Sequence, residues 1–118
     1  MSDLFTEADV IFSYTRAQAL EDGVLVDVSE MAHEAGFKWP TAITNAVHAM
    51  LEDIRNKHED YAGRLWDMLF MAHMAAKRGG TEILFKFILT RKQVTLKMHA
   101  GPGDDLEPVI TIMLPDED

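Results

Sequence analysis

The sequence contains no cysteine, which excludes disulfide frameworks, thiolate metal sites and cysteine nucleophiles. It also lacks an apolar run near the roughly 18–20 residues that a membrane-spanning helix requires, and residues 1–10 are too polar for a signal peptide. Bases are scarce, because 11 Lys and Arg accompany 20 Asp and Glu and leave a net charge of -9. We therefore expect a cytoplasmic protein that binds neither a membrane nor, directly, the phosphate backbone of nucleic acid.

Hydrophobic residues are plentiful, at 47% of the 118 residues, so the chain is not a disordered tail. A chain of this length buries about two-thirds of its unfolded surface and can form a core without cross-links. The sequence shows no internal repeat and no low-complexity stretch. Residues 1–118 are therefore predicted to form a single domain.

The charges are unevenly distributed along the chain. Residues 1–39 carry a net charge of -6, residues 40–100 carry +3, and residues 101–118 carry -6 with no base at all. Two solvated ends that aid solubility would explain this pattern. Alternatively, the acidic ends form one negative field directed at a basic partner, and the bases of the middle segment serve mostly as internal ion-pair partners.

Short helices and a strand are predicted in residues 15–36. Thr15 and Gln18 fit a capping box at the start of a helix that Gly23 ends. The β-branched residues 24–28 predict a short strand, and Ser29 can cap a second short helix that ends at Gly36.

Two longer helices are predicted next. Pro40 is well placed to start the first of them. Its apolar stripe comprises Ile43, Val47, Met50, Leu51 and Ile54. Residues 61–78 are apolar nearly all round, which is typical of a central helix, and Gly79 and Gly80 terminate it.

The hydrophobic period changes to two after residue 80. Residues 83–90 and 94–99 alternate, residues 108–114 are β-branched, and turns separate the three segments. An antiparallel meander is the economical arrangement, because parallel pairs would need crossover connections that we do not identify in the sequence. We therefore predict an α+β fold in which a helical N-terminal half packs on a C-terminal three-stranded antiparallel sheet.

The sequence offers no complete catalytic constellation. No two of its five histidines have the i,i+4 spacing of a helical zinc site, and the acids after Gly103 do not match a calcium loop. There is neither a glycine-rich phosphate loop nor a nucleophile elbow. We therefore predict no catalytic residue, no metal and no cofactor, and favour a protein that is not an enzyme.

Tyr14 and Arg16 leave one enzymatic alternative open. They lie at the mouth of the first predicted helix, where backbone N–H groups, hydroxyls and an arginine can hold an anion. This turn, followed by a helix, Gly23 and a strand, is similar in pattern to the opening of small ADP-ribosyltransferase-like folds. In that interpretation Tyr14 and Arg16 hold a nucleotide.

Two further groups of residues are candidates for partner binding. The acidic group consists of Asp104, Asp105, Glu107, Asp116, Glu117 and Asp118. These acids could enter a basic groove, or they could only solvate a turn and the end of a strand. The apolar group consists of Trp66, Phe70 and Met74, which lie at helical spacing. Such residues either pack in the core or form an adaptable face for a homodimer.

Six segments carry a family resemblance, namely residues 11–28, 34–38, 63–67, 94–97, 101–105 and 107–115. Together they resemble a family of small proteins of unknown function that occur in bacteria, plasmids and phages. The resemblance covers nearly the whole chain and brings no catalytic residue with it. It implies a setting among accessory genes of mobile elements, where small acidic proteins block host defence by occupying the nucleic-acid groove of a nuclease or surveillance complex.

The leading hypothesis is therefore a non-enzymatic inhibitor of the anti-CRISPR or antirestriction type. Its acidic ends would bind a basic host protein or nucleoprotein complex. The alternatives are a nucleotide-binding enzyme that uses Tyr14 and Arg16, and a homodimeric domain without catalysis that associates through Trp66, Phe70 and Met74.

Overall fold

The computed structural model describes residues 14–53 and 60–117. In this part of the chain, helices and strands are interspersed from the first element to the last. They are α1 (Arg16–Asp22), β1 (Leu25–Asp27), α2 (Ser29–Ala35), β2 (Thr41–Thr44), α3 (Asn45–Glu52), α4 (Tyr61–Ala76), β3 (Glu82–Leu89), β4 (Lys92–Pro102) and β5 (Pro108–Met113).

The strands form one mixed sheet in the order β1-β2-β5-β4-β3. β1 pairs with β2, β4 with β5 and β3 with β4 in antiparallel fashion. β2 and β5 run parallel, with Ala42 opposite Thr111. The last strand in the sequence therefore occupies the centre of the sheet.

The predicted fold class is correct only as α+β. The sheet has five strands rather than three, it is mixed rather than antiparallel, and its two additional strands lie among the N-terminal helices. The predicted meander itself is present as β3, β4 and β5. The objection to parallel pairing was wrong, because α3, α4, β3 and β4 together form the connection between β2 and β5.

The main local error lies after Pro40. This residue does not start a helix; a strand follows it, and α3 begins only at Asn45, where the Thr44 side chain accepts a hydrogen bond from the Val47 amide. Ile43 belongs to that strand, and Ile54 lies outside the described residues. Ile43 precedes Val47 by four residues and therefore mimics a helical stripe, although its strand is held between two neighbouring strands.

The predicted cap of α1 is confirmed, but that of α2 is wrong. α2 begins at Ser29 itself, after Val28, and has no side-chain cap, because the Ser29 hydroxyl donates to Asp27 and accepts from the Thr41 amide. The Thr15 side chain accepts from the Gln18 amide at 3.0 Å, and the Gln18 side chain accepts from the Thr15 amide at 3.0 Å. Gly23 and Gly36 have φ values of 79° and 117°, the left-handed conformation that ends a helix. Local chemistry thus fixes where α1 begins and where both helices end.

One face of the sheet carries the main core. α2, α3 and α4 cover this face, and the fully buried side chains at the contact include Ile43, Val47, Leu51, Met68, Leu69, Leu96 and Ile112. α1 lies on the opposite face, because Arg16 reaches the Thr111 side chain, which points away from those of Ile110 and Ile112. Beyond α1, the side chains that β3 places on the second face, namely Glu82, Leu84, Lys86 and Ile88, are exposed.

Candidate functional site

The start of α1 is joined to the acidic turn before β5. The Asp104 carboxylate accepts hydrogen bonds from the backbone N–H groups of Arg16, at 2.8 Å, and Ala17, at 2.9 Å. These two bonds hold the pKa of Asp104 below its ordinary value. The C-terminal acidic turn therefore meets the first described helix.

Arg16 completes the same junction from the helix side. Its guanidinium donates to the Thr111 hydroxyl at 2.6 Å and to the Ile110 carbonyl at 2.8 Å. Burial lowers its pKa, and the nearby charges of Asp27, Asp104 and Glu107 oppose this shift. Arg16 thus ties the helix to the sheet.

Tyr14 and Arg16 do not converge on a common site. The Tyr14 hydroxyl donates to the Asp22 carboxylate at 2.6 Å, and this hydrogen bond raises the pKa of the tyrosine. Asp104 already occupies the helix end where an external anion would bind. A nucleotide held by Tyr14 and Arg16 would have to displace all of these internal partners.

The acidic candidates divide into bonded and exposed residues. Glu107 accepts from the Asp105 amide at 2.9 Å, and Glu117 accepts from the Thr44 hydroxyl at 2.8 Å and the Leu114 amide at 2.7 Å. The carboxylates of Asp105 and Asp116 are exposed. Asp118 lies outside the described residues. The turn and the tail therefore fasten the sheet as well as carrying charge.

A second group of acids lies on α1, β1 and α2, of which α1 packs on β1 and α2 packs on β2 and α4. This acidic edge consists of Glu21, Asp22, Asp27, Glu30 and Glu34, and all five side chains are exposed. Arg16 and Lys38 are the bases in this part of the chain, and Arg16 is turned inward. The acidic edge thus presents a net negative surface.

The opposite edge of the sheet is basic. This basic edge consists of Lys77, Arg78, Lys86, Arg91 and Lys92, which are exposed around β3 and its turn into β4. Four strand spacings, about 19 Å in total, separate β1 from β3. The bases of the middle segment were predicted to form internal ion pairs, but these five form none within the described part of the chain. Of their side chains, only that of Arg78 makes hydrogen bonds there, and both go to backbone carbonyls.

Trp66, Phe70 and Met74 lie along one stripe of α4, at 38%, 47% and 45% exposure. The structure therefore places them on the surface and assigns core packing to Met68, Leu69 and their neighbours. A groove of about 370 Å³ separates the Phe70 side of the helix from the end of β3. Exposed apolar side chains beside an open groove are suited to protein contacts.

An apolar cavity of about 410 Å³ opens at the other end of α4. Its walls include Phe37, Trp39, His73, Ile83 and Met98. The His73 ring meets Phe37 edge-on, with ring centroids 5.3 Å apart. No sequence pattern indicated this cavity, because its walls combine the connector before Pro40 with α4, β3, β4 and β5. The dense aromatic residues of the connector were the one local signal.

Glu52, His48 and Tyr61 form a hydrogen-bonded relay between α3 and α4. His48 Nε2 lies 3.1 Å from Glu52 Oε1, and His48 Nδ1 lies 2.7 Å from the Tyr61 hydroxyl. Burial raises the pKa of Tyr61, so its hydroxyl keeps its proton at neutral pH. The relay thus joins two helices.

Residues 14–53 and 60–117 contain no group of three or more His, Asp or Glu side chains arranged to hold a metal ion. No helix in this same part of the chain is both long and apolar enough to cross a membrane.

Comparison with known proteins gives one match. The model of a family of unknown function, DUF6573, matches residues 1–118, the whole chain. No curated protein and no solved structure matches the chain.

Proposed function

Because the chain belongs to the DUF6573 family, whose function is unknown, we propose its role from the structure: it is a non-enzymatic binding protein that docks its acidic edge on a basic protein surface. The partner surface is one that otherwise binds nucleic acid, in a nuclease or CRISPR complex of host defence. The protein would act there as an accessory inhibitor encoded by a mobile element.

The separation of charge across the sheet carries this proposal. Five exposed acids lie on α1, β1 and α2, while five exposed bases gather around β3 at the far edge of the sheet. A basic partner that approaches the acidic edge therefore meets Lys38, which lies beside Glu30 and Glu34, but none of the bases of the basic edge. Complementary charge of this kind accelerates association and selects orientation.

The internal bonds at the start of α1 favour binding over catalysis. The Asp104 carboxylate accepts from the Arg16 amide, and the Arg16 side chain donates to Thr111. The Tyr14 hydroxyl donates to Asp22. These groups fix the position of α1, which carries Glu21 and Asp22. The junction is thus a support for the acidic edge.

The test is protection of a phage from a defence system. Cells that carry a restriction or CRISPR system would express the protein, and the plating efficiency of a sensitive phage would be measured. We expect protection by the natural chain and its loss in the triple variant Glu21→Gln, Glu30→Gln, Glu34→Gln. Binding to the purified defence complex should also weaken steeply with salt, because exposed charges are screened within about 10 Å at 0.1 M ionic strength.

A matched control removes the same number of charges elsewhere. The variant Glu52→Gln, Asp67→Asn, Asp116→Asn neutralises three exposed carboxylates outside the acidic edge. It should protect as well as the natural chain. Equal protection by both triple variants, or salt-resistant binding, would refute the proposal.

A further inference from the structure

Among the described residues β3 pairs with β4 alone, so its other edge is long and unpaired. Its odd-numbered residues direct their backbone groups toward β4, as the bond from the Ala100 amide to the Thr81 carbonyl shows. The even-numbered residues direct theirs outward, as the bond from Arg78 to the Leu84 carbonyl shows. Glu82, Leu84, Lys86 and Ile88 thus present backbone donors and acceptors along the edge of the sheet.

Apolar side chains surround this edge on both faces. Leu84 and Ile88, at 55% and 61% exposure, stand on the open face of the sheet. Phe70 and Met71, at 47% and 41%, overhang the groove on the helical face. A long edge with apolar flanks is a site for strand addition.

We propose that a second copy of this chain occupies this edge, with β3 pairing antiparallel to β3 about a two-fold axis at Leu84. Leu84 then faces Leu84 of the second copy, and Glu82 faces Lys86 of the second copy. By symmetry the ionic pair occurs twice. The second strand lies along the groove beneath Phe70 and Met71.

The charges select this register from its neighbours. Outward-facing residues must pair with outward-facing residues, so the register can change only in steps that keep even numbers opposite even numbers. The register centred on Phe85 places Lys86 opposite Leu84 and Glu82 opposite Ile88. The register centred on Lys86 places two lysines directly opposite, which is destabilising. Only the register centred on Leu84 opposes Glu82 directly to Lys86.

Existing contacts are compatible with the dimer, with one exchange. The Glu82 carboxylate lies 3.6 Å from Lys97 Nζ and can bridge that amine and Lys86 of the second copy. Arg78 now donates to the Leu84 carbonyl at 2.6 Å and must release it to the incoming strand. Arg78 is exposed and can turn away. It therefore competes with dimer formation.

The absence of cysteine makes the register directly testable by disulfide formation. Facing residues of a hydrogen-bonded antiparallel pair have Cα atoms about 5.5 Å apart, within disulfide range. We expect Leu84→Cys to cross-link into a covalent dimer on mild oxidation. Ile88→Cys, which does not face itself in this register, is the control and should stay monomeric on a denaturing gel.

Sedimentation equilibrium tests the ionic pair. Lys86→Glu and Glu82→Lys should each raise the dimer dissociation constant about tenfold, since two cross-strand pairs become repulsive. Combining both substitutions should restore most of the affinity lost in Lys86→Glu. Lys92→Glu, an equal charge change on β4, should leave the constant unchanged. Circular dichroism would verify that each variant is folded.

Arg78→Ala tests the opposite change. It removes the donor that occupies the Leu84 carbonyl, so it should lower the dimer dissociation constant. Failure of Leu84→Cys to cross-link, or failure of the double charge exchange to recover affinity, overturns the proposal. So does a monomer at millimolar concentration for both the natural chain and Arg78→Ala. These results are independent of the acidic edge, which lies on the opposite side of the sheet.

Discussion

At the scale of single residues, Asp104 has the clearest role. Thr15 caps α1 locally, and the Asp104 carboxylate accepts from two further backbone N–H groups of the same helix start, from 87 and 88 positions away in sequence. No local pattern could have indicated this contact, because the acids around it look alike in the sequence. Thr15, whose bond to Gln18 spans three residues, was predictable for the opposite reason.

Asp104 should make stability depend on acidic pH. Its pKa lies below the ordinary value of 3.8, so its contribution to the free energy of unfolding is present above that pH. The contribution is lost as pH falls through the folded-state pKa. In urea titrations between pH 2 and pH 7, Asp104→Asn should be less stable at neutral pH and should lose less stability on acidification. Asp105→Asn, whose side chain makes no such bonds, should follow the natural chain.

Gly36 couples the end of α2 to α4. A Cβ atom at this position would lie 2.7 Å from His73 Cε1, and φ is 117°. Gly36→Ala should therefore lower the free energy of unfolding by about 1–2 kcal/mol through the left-handed backbone and by about 1–3 kcal/mol through the clash.

A double-mutant cycle separates the two costs at Gly36. In a His73→Ala background, Gly36→Ala should retain only the backbone cost. Gly23→Ala is the matched control, because Gly23 also has a positive φ, 79°, but nothing lies within 4 Å of its Cβ position. An equal cost of Gly36→Ala with and without His73 would show that the ring is not the obstacle.

At the scale of elements, the local sequence predicted where most helices and strands end, but it predicted few of the strand pairs. The stops at Gly23 and Gly36 and the β3–β4 hairpin depend on neighbouring residues, and they are present. The conformation of β2 depends on its pairing with β1, from which α2 separates it, and with β5, which comes much later in the chain. Pairing on both sides decides its conformation. Residues Thr41–Thr44, which the hydrophobic pattern assigned to a helix, therefore form a buried strand.

The hairpin turn between β3 and β4 is not optimal. Thr90 and Arg91 have φ values of 48° and 68°, a conformation that Asn and Gly adopt more readily. The variant Thr90→Asn, Arg91→Gly should raise the free energy of unfolding by about 0.5–1 kcal/mol. Urea denaturation would measure the gain. Arg91→Lys alone, which keeps a long side chain at a positive φ, should leave stability unchanged.

At the scale of the whole molecule, the strand order creates a property that the linear sequence conceals. The net charges of successive segments were visible, but their positions at opposite edges depend on β5 lying between β2 and β4. The same order places the unpaired edge of β3 as far as possible from the acidic edge. A dimer through β3 would therefore carry one acidic edge at each end of a ten-stranded sheet.

Such a dimer would engage two basic surfaces at once or one partner twice. Linked sites raise the apparent affinity without any new contact, provided that the geometry allows simultaneous binding. The two proposals thus reinforce each other physically while resting on separate residues. Loss of cross-linking in Leu84→Cys would leave a monovalent acidic edge.

The central place of β5 also sets the order of events during folding. β1 and β2 can pair early, and β3 and β4 can form their hairpin, but the two halves share no strand contact until β5 enters between them. Of the described strands, β5 comes last in the chain, and the long-range pairs that it closes are slow to form. Until β5 inserts, the chain exposes two additional strand edges, so this is when it is most exposed to aggregation and to proteases.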